Sequence, residues 1–168
     1  MSEPLQANDE TSGQEFNPEL SVLIVDDTPE NLVALEVVLD DVDCTLVTAS
    51  SGNEALGKLL KQDFALVLLD VQMPGMDGFE VAELMRNNKR TAHVPIIFVT
   101  ANSRDERNMR KGYQSGAVDY LFKPIDPTVL CSKVNFFLQL ERQKKRLEAK
   151  IKASRESEQV FLQAYGKE

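Results

Sequence analysis

The sequence predicts an α/β protein built on a five-stranded parallel sheet, and three observations predict it. Five short runs are apolar or β-branched: Leu20–Val25, Cys44–Thr48, Phe64–Leu69, Val94–Val99 and Ala117–Phe122. They alternate with longer stretches whose apolar residues recur at helical spacing. Several of the runs are near-continuous in hydrophobicity, as strands covered on both faces are. Strands alternating with helices in this way give a parallel sheet with helices on both sides.

Each element has its own justification. Residues 1–18 are polar, with Leu5 and Phe16 as the only large apolar side chains, and predict a disordered N-terminal arm. The first strand stops at Asp26-Asp27. Thr28 then reads as an N-cap, Pro29 as the first helical residue and Asn31 as the occupant of the capping-box slot. Leu32, Leu35, Val38 and Leu39 supply that helix with an apolar face. Ser50–Glu54 opens a second helix, with Ala55, Leu56, Leu59 and Leu60 expected to face inward. Past the third strand, Pro74, Gly75 and Gly78 break the chain into a loop before a third helix at Phe79–Asn88. Pro95 lies at the entrance of the fourth strand, where a missing ladder donor matters least. A fourth helix is expected over Ser103–Ser115, weakly apolar through Met109 and Tyr113 alone, with Gly112 inside it and Gly116 as its C-cap. Asp126-Pro127 starts a last helix whose apolar face runs through Val129, Leu130, Val134, Phe137 and Leu138.

Composition narrows the function classes. A net charge of -8 argues against a nucleic-acid surface, which needs a basic field. Cys44 and Cys131 are too few for a disulfide framework, and no Cys/His cluster has zinc spacing. No apolar run approaches the ~18 residues of a membrane span, and the acidic start Met1-Ser2-Glu3-Pro4 is no secretory signal. A soluble cytoplasmic protein is expected. His93, in a polar turn, is expected to be simply exposed.

The chemistry gathers at the strand ends. Asp26 and Asp27 follow the first strand, Asp70 the third, Thr100 the fourth and Lys123 the fifth. In a parallel sheet all of these lie on one edge, where ligands of open α/β folds bind. Asp70 is a poor candidate for a helix cap, because Asp77 and Gly78 stand nearer the next helix. Three carboxylates in one crevice repel one another, and a hard divalent cation neutralises them at least cost. A lysine adds a point charge suited to a phosphoryl group, and a threonine hydroxyl can donate to one of its oxygens. This set describes phosphoryl transfer to a carboxylate nucleophile.

With the acidic pair in VLIVDDTPEN, Asp70 in LLDVQMPGMDGFE, Thr100 in PIIFVTA and Lys123-Pro124 in GAVDYLFKP, the chain resembles the receiver domains of two-component response regulators. The resemblance spans about Leu20 to Leu140. It implies a doubly wound, flavodoxin-like sheet of order 2-1-3-4-5. It implies that Asp70 is the phosphoacceptor, served by a sensor histidine kinase or a phosphotransfer protein. Mg²⁺ would be held by Asp26, Asp27, Asp70 and the backbone carbonyl of Gln72. Lys123 would contact the phosphoryl group through a loop with a cis Lys123-Pro124 bond, and Thr100 and Tyr120 would form the switch pair, with Tyr120 turning inward on phosphorylation. The domain would be signalling in nature, catalysing only its own aspartyl phosphorylation and dephosphorylation.

Other functions fit less well. A phosphatase of similar fold needs a second acid after the nucleophile, and Gln72 is an amide. A flavin module needs a phosphate-cradling loop where Asp26 and Asp27 stand. A constitutive scaffold would not be labelled by a phosphodonor. The expected organisation is therefore an arm at 1–18, a receiver at 19–140 and a helical extension at 141–168, a coiled coil or a linker to an output domain. The extension is basic, with nine Lys/Arg against five Asp/Glu from Lys133 onward. One heptad position holds Leu140, Leu147, Ser154 and Phe161, and the other holds Phe137, Lys144, Ile151, Glu158 and Tyr165. That seam predicts a homodimer through the C-terminal helix, and a fragment of a larger regulator is preferred to a stand-alone adaptor. No direct contact with nucleic acid or membrane is expected.

Overall fold

The computed structural model describes residues 16–101 and 119–166. Strands β1 (Ser21–Val25), β2 (Thr45–Ala49), β3 (Leu66–Asp70), β4 (Ile96–Thr100) and β5 (Asp119–Phe122) form one sheet. Its order is β2-β1-β3-β4-β5, and every pair is parallel. Helices α1 (Pro29–Val38), α2 (Gly52–Lys61), α3 (Gly78–Arg86) and α4 (Pro127–Tyr165) cover it. The expected helix over 103–115 and most of the arm lie outside the described residues.

Side chains alternate across the sheet, so each strand feeds two cores. Val22, Ile24, Leu68, Ile97 and Val99 pack with Leu35 of α1 and Leu39 at its C-cap, and with Leu130, Val134 and Leu138 of α4. Leu23, Val25, Leu69 and Phe98 pack with Ala55 and Leu59 of α2 and with Val81, Ala82 and Met85 of α3. All of β3 and β4 is buried, which explains why those runs read as continuously apolar. A Leu68→Ala change in such a place costs about 2–5 kcal/mol.

Local chemistry sets the helix starts, with small departures from expectation. Ser51 caps α2 by accepting from the Glu54 N–H at 3.1 Å, and Glu54 reaches back to the Ser50 N–H at 3.0 Å. Within α2, Ala55 and Leu59 take the inward positions, whereas Leu60, a 100° step around the helix, is 53% exposed. Asp77 caps α3, accepting from the Glu80 N–H at 2.9 Å, so that helix begins at Gly78 and not at Phe79. Thr28 is the N-cap residue of α1 but its side chain makes no capping bond. Asn31 departs from the capping box as well, since its amide donates to Asp26 instead.

Gly78 is held to its place by the end of β3. A Cβ there would lie 2.3 Å from the backbone oxygen of Asp70, while the Gly78 N–H donates to the Val71 carbonyl at 2.9 Å. No side chain yields at such a contact, because the opposing atom is backbone. Gly78→Ala is expected to destabilise the fold by about 1–3 kcal/mol, checked by urea unfolding beside Gly57→Ala, whose Cβ would meet open space.

The last helix is unbroken for 39 residues, about 58 Å long. Asp126 caps it by accepting from the Thr128 N–H at 2.8 Å. Its inward face is Leu130, Val134 and Leu138, with Phe137 packed alongside. Beyond them Leu140, Leu147, Ile151, Phe161 and Tyr165 are all exposed. The helix thus continues through residues 140 and 141 with no change of backbone. Among the described residues no helix is long and apolar enough to cross a membrane.

Candidate functional site

Pairing of Val25 with Leu69 sets the next residues of β1 and β3 side by side at the carboxyl edge of the sheet. This is also where the strand order reverses, the crevice in which doubly wound folds bind ligands. Asp26 is 2% and Asp70 5% exposed, while Asp27 is open to solvent. Carboxylate oxygens from all three lie within 4.8 Å of one another. Lys123 follows β5, and its N–H donates to the Thr100 carbonyl at 2.9 Å. Its Nζ stands 3.5 Å from Asp26 Oδ2 and 3.7 Å from Asp70 Oδ1. The Lys123-Pro124 bond is cis. The sequence-predicted acids and lysine therefore share one pocket.

Electrostatics follow from the count. Three acids face one lysine, and two of the acids are buried. Burial raises the Asp70 carboxyl to about 6, and the charge of Asp26 pushes the same way. Lys123 and the Gln72 N–H, which donates to the Asp70 carboxylate, pull it back. Asp26 escapes part of this conflict by local bonding: it accepts from the Thr28 N–H at 2.9 Å and from the Asn31 amide at 3.2 Å. A lysine cannot balance three carboxylates, and an all-oxygen donor set with excess negative charge suits a hard divalent ion. The residues present fit Mg²⁺.

Thr100 and Tyr120 are both buried. The Tyr120 ring packs 5.5 Å from Phe98 and 6.1 Å from Phe122, and Phe98 meets Phe79 edge-on at 5.0 Å. The Tyr120 ring thus lies inward in this structure. Its ring completes an aromatic cluster that would otherwise hold a void. Gln72 is exposed at its side chain. His93 is exposed, as expected.

Two residues of the site are not legible as such in the sequence. Spacing assigns Asn31 to a helix cap, although an amide five residues after a buried acid can equally reach back to it. Gly78 reads as a loop breaker, and only the close approach to the Asp70 backbone shows its second role.

Removing ligand charge tests the cation pocket. Asp27→Ala and Asp26→Ala are each expected to weaken Mg²⁺ binding by about tenfold or more, measured by fluorescence or calorimetric titration. Unchanged affinity in both variants would rule out the cage. Asp26→Ala also removes the acceptor of the Thr28 and Asn31 donors, so the cleaner variant is Asp27→Ala.

A doubly wound sheet with a buried aspartate, two further acids and a lysine at its switch point defines an α/β domain with an acidic site at the carboxyl edge of its sheet. The chain belongs to the response regulator receiver domain family of two-component systems, whose family model matches residues 22–135. It is 40% identical over 124 residues to a probable cyclic di-GMP phosphodiesterase of Vibrio cholerae, covering 74% of this chain and 28% of that protein. It is 39% identical over 114 residues to the response regulator PleD of Caulobacter vibrioides, covering 67% of this chain and 25% of that one. The chain thus spans about a quarter of the length of these curated relatives. Among solved structures, a putative response regulator from Chloroflexus aurantiacus matches with a TM-score of 0.68 and 34% identity, over 73% of this chain and 99% of that one.

Proposed function

We propose that this receiver accepts a phosphoryl group on Asp70, in a Mg²⁺-dependent reaction, from a sensor histidine kinase or a phosphotransfer protein. The observation that supports it best is Lys123 Nζ at 3.7 Å from Asp70 Oδ1, inside a cluster of three carboxylates. An Asp70 carboxylate oxygen attacks the phosphorus of a phosphohistidine. The P–N bond breaks, its electron pair stays on the imidazole, and an acyl phosphate forms. With its carboxyl near 6, Asp70 is ionised and nucleophilic at neutral pH. Bound Mg²⁺, held by Asp26, Asp27, Asp70 and the Gln72 carbonyl, would supply charge neutralisation for the incoming oxygens. Lys123 contacts the phosphoryl group, and the Thr100 hydroxyl donates to it. Water attack on the same acyl phosphate returns the free carboxylate.

The signal would leave through the segment 103–115, β5 and α4. A homodimer through α4 is part of this proposal, as is an output domain beyond residue 168. The relatives' greater length supports a piece of a larger regulator over a stand-alone adaptor. The protein would work in the cytoplasm, where its kinase is, without contacting nucleic acid or membrane.

The chemistry has a direct test. With Mg²⁺ and acetyl phosphate, the chain is expected to gain one acid-stable, base-labile phosphoryl group, detected as a mass increase. Asp70→Asn should gain none. Undiminished labelling of that variant would move the site elsewhere.

A further inference from the structure

The start of the described chain meets the middle of the last helix. Where the receiver's packed face gives out, Arg146 Nε of α4 donates to the Phe16 carbonyl at 2.9 Å. One turn earlier Arg142 donates to the Asp43 carbonyl and pairs with its carboxylate at 3.5 Å. Asn17, Asp43, Gln139, Arg142, Gln143 and Arg146 line a single open cavity there. Arg142 Nε is buried and has no hydrogen-bond acceptor among the described residues, which is costly for a charged donor.

Continuing along α4, Arg142, Arg146 and Lys150 stand four residues apart and share one face. Ala149 and Ala153 lie between them on that face and leave room for a neighbouring chain. Lys150 pairs with no carboxylate among the described residues. The acids nearest this face are Asp43, held by Arg142, and Glu156 at its border. The heptad seam of Leu147 and Ile151 points about a quarter-turn or more away.

The described chain begins beside this stripe, at Phe16, directly after the first fifteen residues of the sequence. Residues 1–15 contain Glu3, Asp9, Glu10 and Glu15 and no lysine or arginine. Fifteen residues reach at most about 50 Å, and α4 rises only about 28 Å from Arg146 to its end at Tyr165. Length, charge and point of entry therefore all match. We infer that the acidic arm is a strap that docks along the Arg142–Arg146–Lys150 face of its own α4. Such a strap clamps the first turns of the helix that leaves the receiver, on a face that does not compete with the heptad seam. It is independent of the phosphoryl chemistry.

Hydrogen exchange over residues 141–157 tests it, in the whole chain and in one lacking residues 2–14. The expected result is exchange roughly five- to tenfold faster without the arm at low salt, the sum of a few exposed ion pairs. The difference should shrink in about 1 M salt. Lys150→Glu should speed exchange in the whole chain and do little more in the shortened one, because the two changes remove one interaction. Equal exchange with and without the arm would overturn the strap. Protection that fades on dilution would overturn it as well, by giving the arm to a second copy.

Discussion

Replacing Asp70 by asparagine is expected to stabilise the metal-free protein at pH 7.5 by on the order of 2–3 kcal/mol. The cause is the crowding that makes the site useful. The Asp70 carboxyl titrates at about 6 in the fold, against 3.8 for a free side chain, chiefly through burial and then through Asp26. A folded value above the unfolded one means that the native state holds a proton the unfolded chain has lost. This stabilising contribution is complete below about pH 4 and disappears as pH rises through about 6. Above that window an ionised Asp70 weighs against folding, and an asparagine of the same shape does not. The two proteins should therefore converge in stability near pH 4 and separate above pH 6. Saturating Mg²⁺ should close much of the gap at pH 7.5, since the ion binds the native wild-type pocket and stabilises it by mass action. Urea unfolding in chelator at both pH values and again with Mg²⁺ measures all three. Identical midpoints at pH 7.5 in chelator would mean that Asp70 is not strained in the way its surroundings require.

That strain also explains which parts of the molecule can be read in advance. The sheet is legible because β3 and β4 are buried on both faces, so their residues have no freedom to be polar. The acids and Lys123 are legible for the opposite reason. Charged groups at the ends of buried strands cost energy, and a ligand is what offsets it. Geometry between loops is less accessible. Whether Asn31 caps a helix or restrains Asp26 depends on the path of Asp27-Thr28, which spacing alone does not fix. The packing of Tyr120 depends on Phe79, Phe98 and Phe122, brought together by the fold. The start of α3 differs by a single residue because Asp77, and not Gly78, accepts the capping bond. Arg142 and Arg146 look like ordinary members of a charged helix, and their partners Asp43 and Phe16 are roughly a hundred residues distant or more.

The second large effect is expected in self-association. Leu140, Leu147, Ile151, Phe161 and Tyr165 are each 45–77% exposed along a helix that has no partner on that side among the described residues. Val160 and Leu162 add exposed apolar area near its end, and the rings of Phe161 and Tyr165 stand 4.9 Å apart. A two-stranded parallel coil with a second copy would bury this seam, with like residues meeting in register. Lys144 and Glu158 interrupt it, and charges at seam positions keep pairing weak. Weak pairing is what allows a receiver to control it. A coupling of about 1–3 kcal/mol between the phospho-site and the seam would change the dimerisation constant by roughly five- to 150-fold. Sedimentation at tens of micromolar, with and without beryllofluoride as a phosphoryl mimic, measures this shift. The control chain should end after Arg146, because Arg142 and Arg146 still hold Asp43 and Phe16 and their loss would disturb the receiver itself. The whole chain should dimerise, more tightly with the mimic, while the shortened one stays monomeric. If both lengths are monomers in both states, the exposed seam is a spacer and the output does not run through dimerisation of α4. Equal dimerisation of both lengths would place the contact on the receiver instead, and Leu147→Lys would then leave it unchanged.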